Sequence, residues 1–276
     1  MSEHTKAKMS ILEVPGARLY YETHGSGTLM LMVPGANGEA DIFKMVTEHL
    51  AAHHTVVTYD RRGFSRSQLD GPQDYDRRLE TDADDVRRLI EHLSDEPATV
   101  FGGSSGAIIA LEVLTHHPSV VRTLVSHEPP AVRLLADGQK WVDFFFEVYD
   151  LYRQSGIEPA LKKFREHAFA ESDRQTMARA RDRNNGEYIL ASATYWFEQE
   201  LRQYPAVDLD LGALEAHTDR IVPLVGRKSR GYPCYEVNAE LGKKLGRDMI
   251  ELPGGHVGYV TQPAEFAREL LGALDR

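Results

Sequence analysis

The chain has 276 residues, 42 of them acidic and 32 basic, for a net charge of −10. That balance argues against a nucleic-acid partner, because phosphate binding needs clustered Lys and Arg. With 42% hydrophobic and 27% charged residues, it has the makeup of a folded globular protein, long enough for one sizeable domain or a core with an insertion.

The first segment, Met1 to Ser10, carries Glu3, Lys6 and Lys8 and lacks the apolar stretch of a signal peptide. No later run reaches the roughly 18 apolar residues of a membrane helix. A cytoplasmic protein without a membrane partner is expected. Ser10–Val14 and Ala17–His24 read as strands joined by a Pro15-Gly16 hairpin turn. Thr28–Val33 is almost wholly apolar, as in a strand buried on both faces. Pro34-Gly35-Ala36-Asn37-Gly38 follows, then a helix over about Ala40–Ala52 and a strand at Thr55–Tyr59. Asp60 to Ser67 forms the next loop, rich in arginine. From Thr81 to Leu93, Ala83, Val86, Ile90 and Leu93 share one helical face. Thr99–Phe101 is a strand, about Ser105–His116 a helix and Arg122–Ser126 a strand.

This alternation stops at Pro129-Pro130. Residues 131–205 are helical in pattern, including Trp141–Tyr152, a charged stretch near Leu161–Arg183, and Tyr188–Tyr204. Alternation resumes with a strand at Ile221–Val225, a helix near Tyr235–Leu245, a strand at Met249–Leu252 and a final helix from Pro263. The expected architecture is a mostly parallel sheet of eight strands, flanked by helices and interrupted by a helical insertion. Its parts are residues 1–130, 131–205 and 206–276.

Gly102-Gly103-Ser104-Ser105-Gly106 carries the chemistry. It is a Gly-x-Ser-x-Gly pattern between a strand and a helix, the setting of a serine nucleophile on a sharp turn. A phosphate-binding turn fits poorly: no Lys-Ser or Lys-Thr follows, and the spacing is not Gly-x-Gly-x-x-Gly. A serine hydroxyl needs a general base. Of the 12 histidines, His256 leaves the last predicted strand in a Pro253-Gly254-Gly255 loop, at the sheet edge where Ser104 also lies. The acid is harder to place, because Gly226 through Tyr235 contains no Asp or Glu. Glu128, at the end of the preceding strand, is the candidate. The competing reading is a solvent-exposed Glu at the entrance to the insertion, with Asp219 and Glu236 next in line as acids. Ala131 stands where a His-Glu-x-x-His zinc motif would need its second histidine. Cys234 is the single cysteine, which excludes an internal disulfide and a cysteine-rich zinc site. No metal or cofactor is expected. The oxyanion donors should be the backbone N–H groups of Ser105 and of Ala36 in the loop after the third strand.

With these residues the chain resembles an α/β-hydrolase carrying a cap domain, and within that fold the fungal zearalenone lactonases. The similar segments are Val33 to Glu39, Ala98 to Ala107, His127-Glu128-Pro129-Pro130 and Leu252 to Val260. The chain departs from them at Gly35, where they carry an acidic residue, at Ala36, where they carry glycine, and throughout the cap. The resemblance implies a substrate-contacting tryptophan at Trp196. It also implies a small-molecule ester or lactone substrate, a Ser104–Glu128–His256 triad and an acyl-enzyme. The alternatives are carbon–carbon bond hydrolysis or perhydrolysis on the same triad, and a receptor of this fold that binds without turnover. Dehalogenases and epoxide hydrolases are set aside because they use Asp where Ser104 stands. The aromatics Trp141, Phe144, Phe145, Tyr149, Tyr152, Tyr188 and Tyr195 should pack the cap or line its pocket. Lys162, Lys163 and Arg165 read as a solvated face, and Asp60 to Ser67 as an architectural tie.

Overall fold

The computed structural model describes residues 7–180 and 186–275. The predicted end of the charged helical stretch, at Arg183, lies outside them, as does most of the N-terminal segment read for a leader. A hairpin opens the chain: β1 (Lys8–Val14) pairs antiparallel with β2 (Ala17–His24), and Gly16 takes the positive φ of 77° that the turn requires. Then come β3 (Leu29–Val33), α1 (Lys44–Leu50, entered through a short 3₁₀ turn), β4 (Thr55–Tyr59), the two-residue β5 (Gln68–Leu69) and α2 (Arg78–Leu93). They are followed by β6 (Ala98–Gly103), α3 (Ser105–His116) and β7 (Val121–His127).

The main sheet runs β1-β2-β4-β3-β6-β7, then β8 (Ile221–Gly226) and β9 (Ile250–Leu252); β5 adds a ninth strand beside β2. Pairing is parallel from β4 through to β9. β3 shows why a central strand is apolar throughout. Leu29, Leu31 and Val33 join one core with α2 and α3, while Met30 and Met32 join the other. That second core holds residues of α1 and of α11 (Pro263–Leu274).

Between β7 and β8 stand α4 (Gly138–Ser155), α5 (Ile157–Ala168), α6 (Glu171–Ala180), α7 (Ile189–Gln199) and the short α8 (Leu211–Glu215), with no strand among the described residues there. Phe145, Phe164, Trp196 and Phe197, from α4, α5 and α7, are buried and join the hydrophobic core. Tyr188 is exposed rather than packed in the cap, and it does not line the spaces beside Ser104. Lys162 is exposed as expected, but Lys163 folds back to Glu147 with a 2.8 Å ion pair. After β8 come α9 (Pro233–Lys244) and a short α10 (Gly258–Thr261) that follows His256. No helix among the described residues is long and apolar enough to cross a membrane.

Candidate active site

All functional candidates gather at the carboxyl ends of the parallel strands, where sheets of this kind form their crevice. Ser104 sits between β6 and α3 with φ 56° and ψ −130°. That conformation costs on the order of 1–3 kcal/mol and needs crowding on both sides to hold it. A Cβ at Gly102 would lie 2.4 Å from the Gly106 carbonyl oxygen, and one at Gly106 2.2 Å from that of Val33. Only glycine permits this approach of strand, turn and helix.

A chain of short bonds leads from Ser104 to a histidine. The Ser104 amide donates to the His127 carbonyl at 2.9 Å, and the Glu128 amide to that of Leu224 at 3.3 Å. Glu128, also at positive φ (52°), points its carboxylate over the end of β8. There its Oε1 accepts from the Gly226 amide at 2.7 Å, and its Oε2 lies 2.6 Å from His256 Nδ1. Glu128 and His256 are both buried, which removes the solvent-exposed reading of Glu128. Burial is the largest single influence and opposes the carboxylate charge, but the hydrogen bond and charge of His256, with His127 and the Gly226 amide, together outweigh it and hold the group below its ordinary value. The stretch after β8 that lacks an acid is thus spanned by a carboxylate from β7.

Ser104 and His256 line one cleft together with Gly35, Ala36, Asn37, Thr176 and Met177. On its other side Ser104, Ala36 and Ser105 line an apolar cavity with Phe145, Phe164, Phe169 and Trp196. Ser105 opens α3, where the first N–H groups of a helix have no acceptor within it. Gly35 presses on the turn: a Cβ there would meet Ser104 Cβ at 2.7 Å. Cys234 also lines the cavity, and burial holds its thiol well above the ordinary value, which disfavours the reactive thiolate. Both spaces are small, about 20 Å³ on the aromatic side and about 30 Å³ on the His256 side. Each has room for little more than a water. A larger hollow, about 610 Å³ between β2 and α1, is lined by Glu22, Lys44 and Arg66 and shares no residue with this site. Among the described residues no group of three His, Cys, Asp or Glu is placed to hold a metal ion.

Sequence reasoning missed three residues here. Glu200, just past α7, accepts from Ser105 Oγ at 2.7 Å and from Arg61 Nη2 at 2.7 Å. Arg61 also donates to the Gly35 carbonyl at 2.9 Å and to Asp82 at 3.2 Å. The loop from Asp60 to Ser67 therefore ties the Gly35 loop to α2 and to the insertion. Asp173, in α6, accepts from the backbone amides of His256 and Val257 at 3.1 and 3.3 Å. Glu200 and Asp173 are buried. The signal that could have found them is weak: Asp173 stands in the polar helix α6 and looks like part of a solvated face, and Glu200 at the end of α7 looks like an ordinary polar helix terminus.

His127 is the third. It is fully buried against Phe101, Tyr259 and Phe266, and neither ring nitrogen hydrogen-bonds another described residue. Desolvation lowers its pKa from 6.5 to about 4. The unfolded chain therefore binds the extra proton first. The stability tied to neutral His127 is fully present above pH 6.5 and is lost as pH falls toward 4. Urea unfolding should show about 2 kcal/mol of loss between pH 7 and pH 5 from this residue. In His127→Phe that share of the loss should vanish; an equal pH dependence in both proteins would defeat the assignment.

The alpha/beta hydrolase fold family matches residues 28–218. A Bacillus subtilis protein described as the uncharacterized hydrolase YraK is 36% identical over 270 residues, covering 96% of this chain and 95% of its own. A zearalenone hydrolase from Bionectria ochroleuca is 32% identical over 127 residues, 45% of this chain and 48% of that protein. Among solved structures, a thermophilic esterase from Thermogutta terrifontis superposes with a TM-score of 0.74 at 19% identity, over 98% of both chains. The chain belongs to the α/β-hydrolase family and is a hydrolase.

Proposed function

We propose that the protein is a serine hydrolase that cleaves a carboxylic ester or lactone through an acyl-enzyme. The observation that carries this reading is the 2.6 Å contact of His256 Nδ1 with the buried Glu128 carboxylate, in the cleft that His256 shares with the strained Ser104. With Nδ1–H donated to Glu128, the Nε2 lone pair is left for the serine hydroxyl; this tautomer is assigned from the hydrogen bond. Ser104 Oγ attacks the carbonyl as His256 takes its proton, and Glu128 stabilises the imidazolium. The Ala36 and Ser105 amides receive the oxyanion, together worth several kcal/mol in the transition state. His256 then protonates the departing alkoxide, which in a lactone stays attached to the acyl chain. It next activates water to release the acid.

The insertion over residues 131–205 acts as the cap. Its aromatic residues Phe145, Phe164, Phe169 and Trp196 form an apolar wall beside Ser104 and favour an apolar, uncharged group on the substrate. A zearalenone hydrolase among the partial relatives supports the ester or lactone class. The test is turnover of p-nitrophenyl acetate and of a panel of esters and lactones, with Ser104→Ala as control, plus fluorophosphonate labelling. Turnover lost in Ser104→Ala and an adduct on Ser104 are expected. An adduct on Ser105, or turnover undiminished in Ser104→Ala, would end this reading.

A further inference from the structure

We propose that Asp173 is a positioning residue for His256, and that docking of α6 on the core completes the catalytic base. The inference rests on the triad reading above. One carboxylate from the insertion accepts both the His256 amide at 3.1 Å and the Val257 amide at 3.3 Å. It is buried, and the approach is so close that a Cβ at Gly255 would lie 2.2 Å from Asp173 Oδ2. The glycine at position 255 is therefore required by the clasp itself. Just before α6, the Phe169 ring packs on the imidazole with centroids 4.6 Å apart. The histidine is thus held by Glu128 from the core and by Asp173 and Phe169 from the insertion.

The same helix walls the cleft. Thr176, Met177 and Ala180 of α6 line it beside Ser104 and His256. About 30 Å³ of space is left between this helix and Ser104, so in the proposal α6 shifts to admit a substrate. Lifting α6 withdraws two hydrogen-bond acceptors and a ring from the His256 loop, and leaves two backbone N–H groups unpaired. Reseating it over a bound substrate restores them. Substrate enclosure and correct placement of the base are thereby made one event, with Asp173 as the link.

The experiment compares Asp173→Ala and Asp173→Asn with the wild-type protein. It measures kcat and KM for p-nitrophenyl acetate, the rate of fluorophosphonate labelling at Ser104, and melting temperature. Asp173→Ala should lower kcat and the labelling rate roughly 10- to 100-fold, as expected for a misplaced catalytic group, with KM little changed. Asp173→Asn keeps one acceptor oxygen and should recover part of the loss. If the Ala variant fails to fold, the Asn variant carries the test alone, with reduced kcat at unchanged KM expected. Wild-type kcat in the variants that fold, or a rise in KM alone, overturns the proposal. Ser104→Ala and His256→Ala separate the two ideas. If both abolish turnover while the Asp173 variants match wild type, only the clasp is wrong; if both keep turnover, the triad reading falls and the clasp with it.

Discussion

Glu128→Gln should lower kcat/KM by about three to four orders of magnitude while the protein stays folded. The amide replacing the carboxylate can still accept from the Gly226 amide, now 2.7 Å from Oε1, so the strand ends need not move. What it loses is charge. On the proposed mechanism, a neutral amide would neither enforce the tautomer that leaves Nε2 free nor stabilise the imidazolium formed as Ser104 attacks. The substituted side chain could even turn its NH₂ toward His256 Nδ1 and favour the wrong tautomer. Circular dichroism should be unchanged and fluorophosphonate labelling of Ser104 slowed in step with turnover. Near-full activity would mean another acid serves His256, and Asp173 would be the first to examine.

Arg61→Met should destabilise the protein by about 3–5 kcal/mol, the cost of stranding charges in the interior. In a domain of this size that lowers the melting temperature by on the order of 10 °C. Arg61, Arg78, Asp82, Glu200 and Tyr204 are all buried. Asp82 accepts from Arg61 at 3.2 Å and from the Tyr204 hydroxyl at 2.6 Å, and Arg78 Nη1 donates to the Tyr195 hydroxyl at 2.5 Å. Two cations and two carboxylates balance, so removing one cation leaves a buried net negative charge. Methionine keeps the bulk of the stem but none of the donors to Glu200, Asp82 and the Gly35 carbonyl. Adding Glu200→Gln should recover part of the loss, because it restores charge balance; a double-mutant cycle measures that coupling. A melting temperature within a degree or two of wild type would show that the network carries little of the fold.

Strand positions were legible because they depend on runs of residue type. The alternation of β3 between two cores follows from period two alone. The first turn of α2 was not legible. Arg78 is polar, and its burial depends on Asp82, Tyr195 and Glu200, the last two more than a hundred residues away. The two-residue β5 and four-residue α10 are too short to show any periodicity.

The site divides in the same way. By itself the sequence determined the strand–turn–helix setting of Ser104, the glycines that let it form, and the lack of an acid after β8. Backbone sterics and residue type act over a few neighbouring positions, so a local reading reaches them. Only the tertiary structure decided that Glu128 meets His256 across 128 residues, that Asp173 clasps the histidine loop, and that Glu200 reaches Ser105. Those contacts exist because β7, β8 and the insertion are packed against one another, and a carboxylate's choice between water and a buried partner depends on what the fold brings within 3 Å.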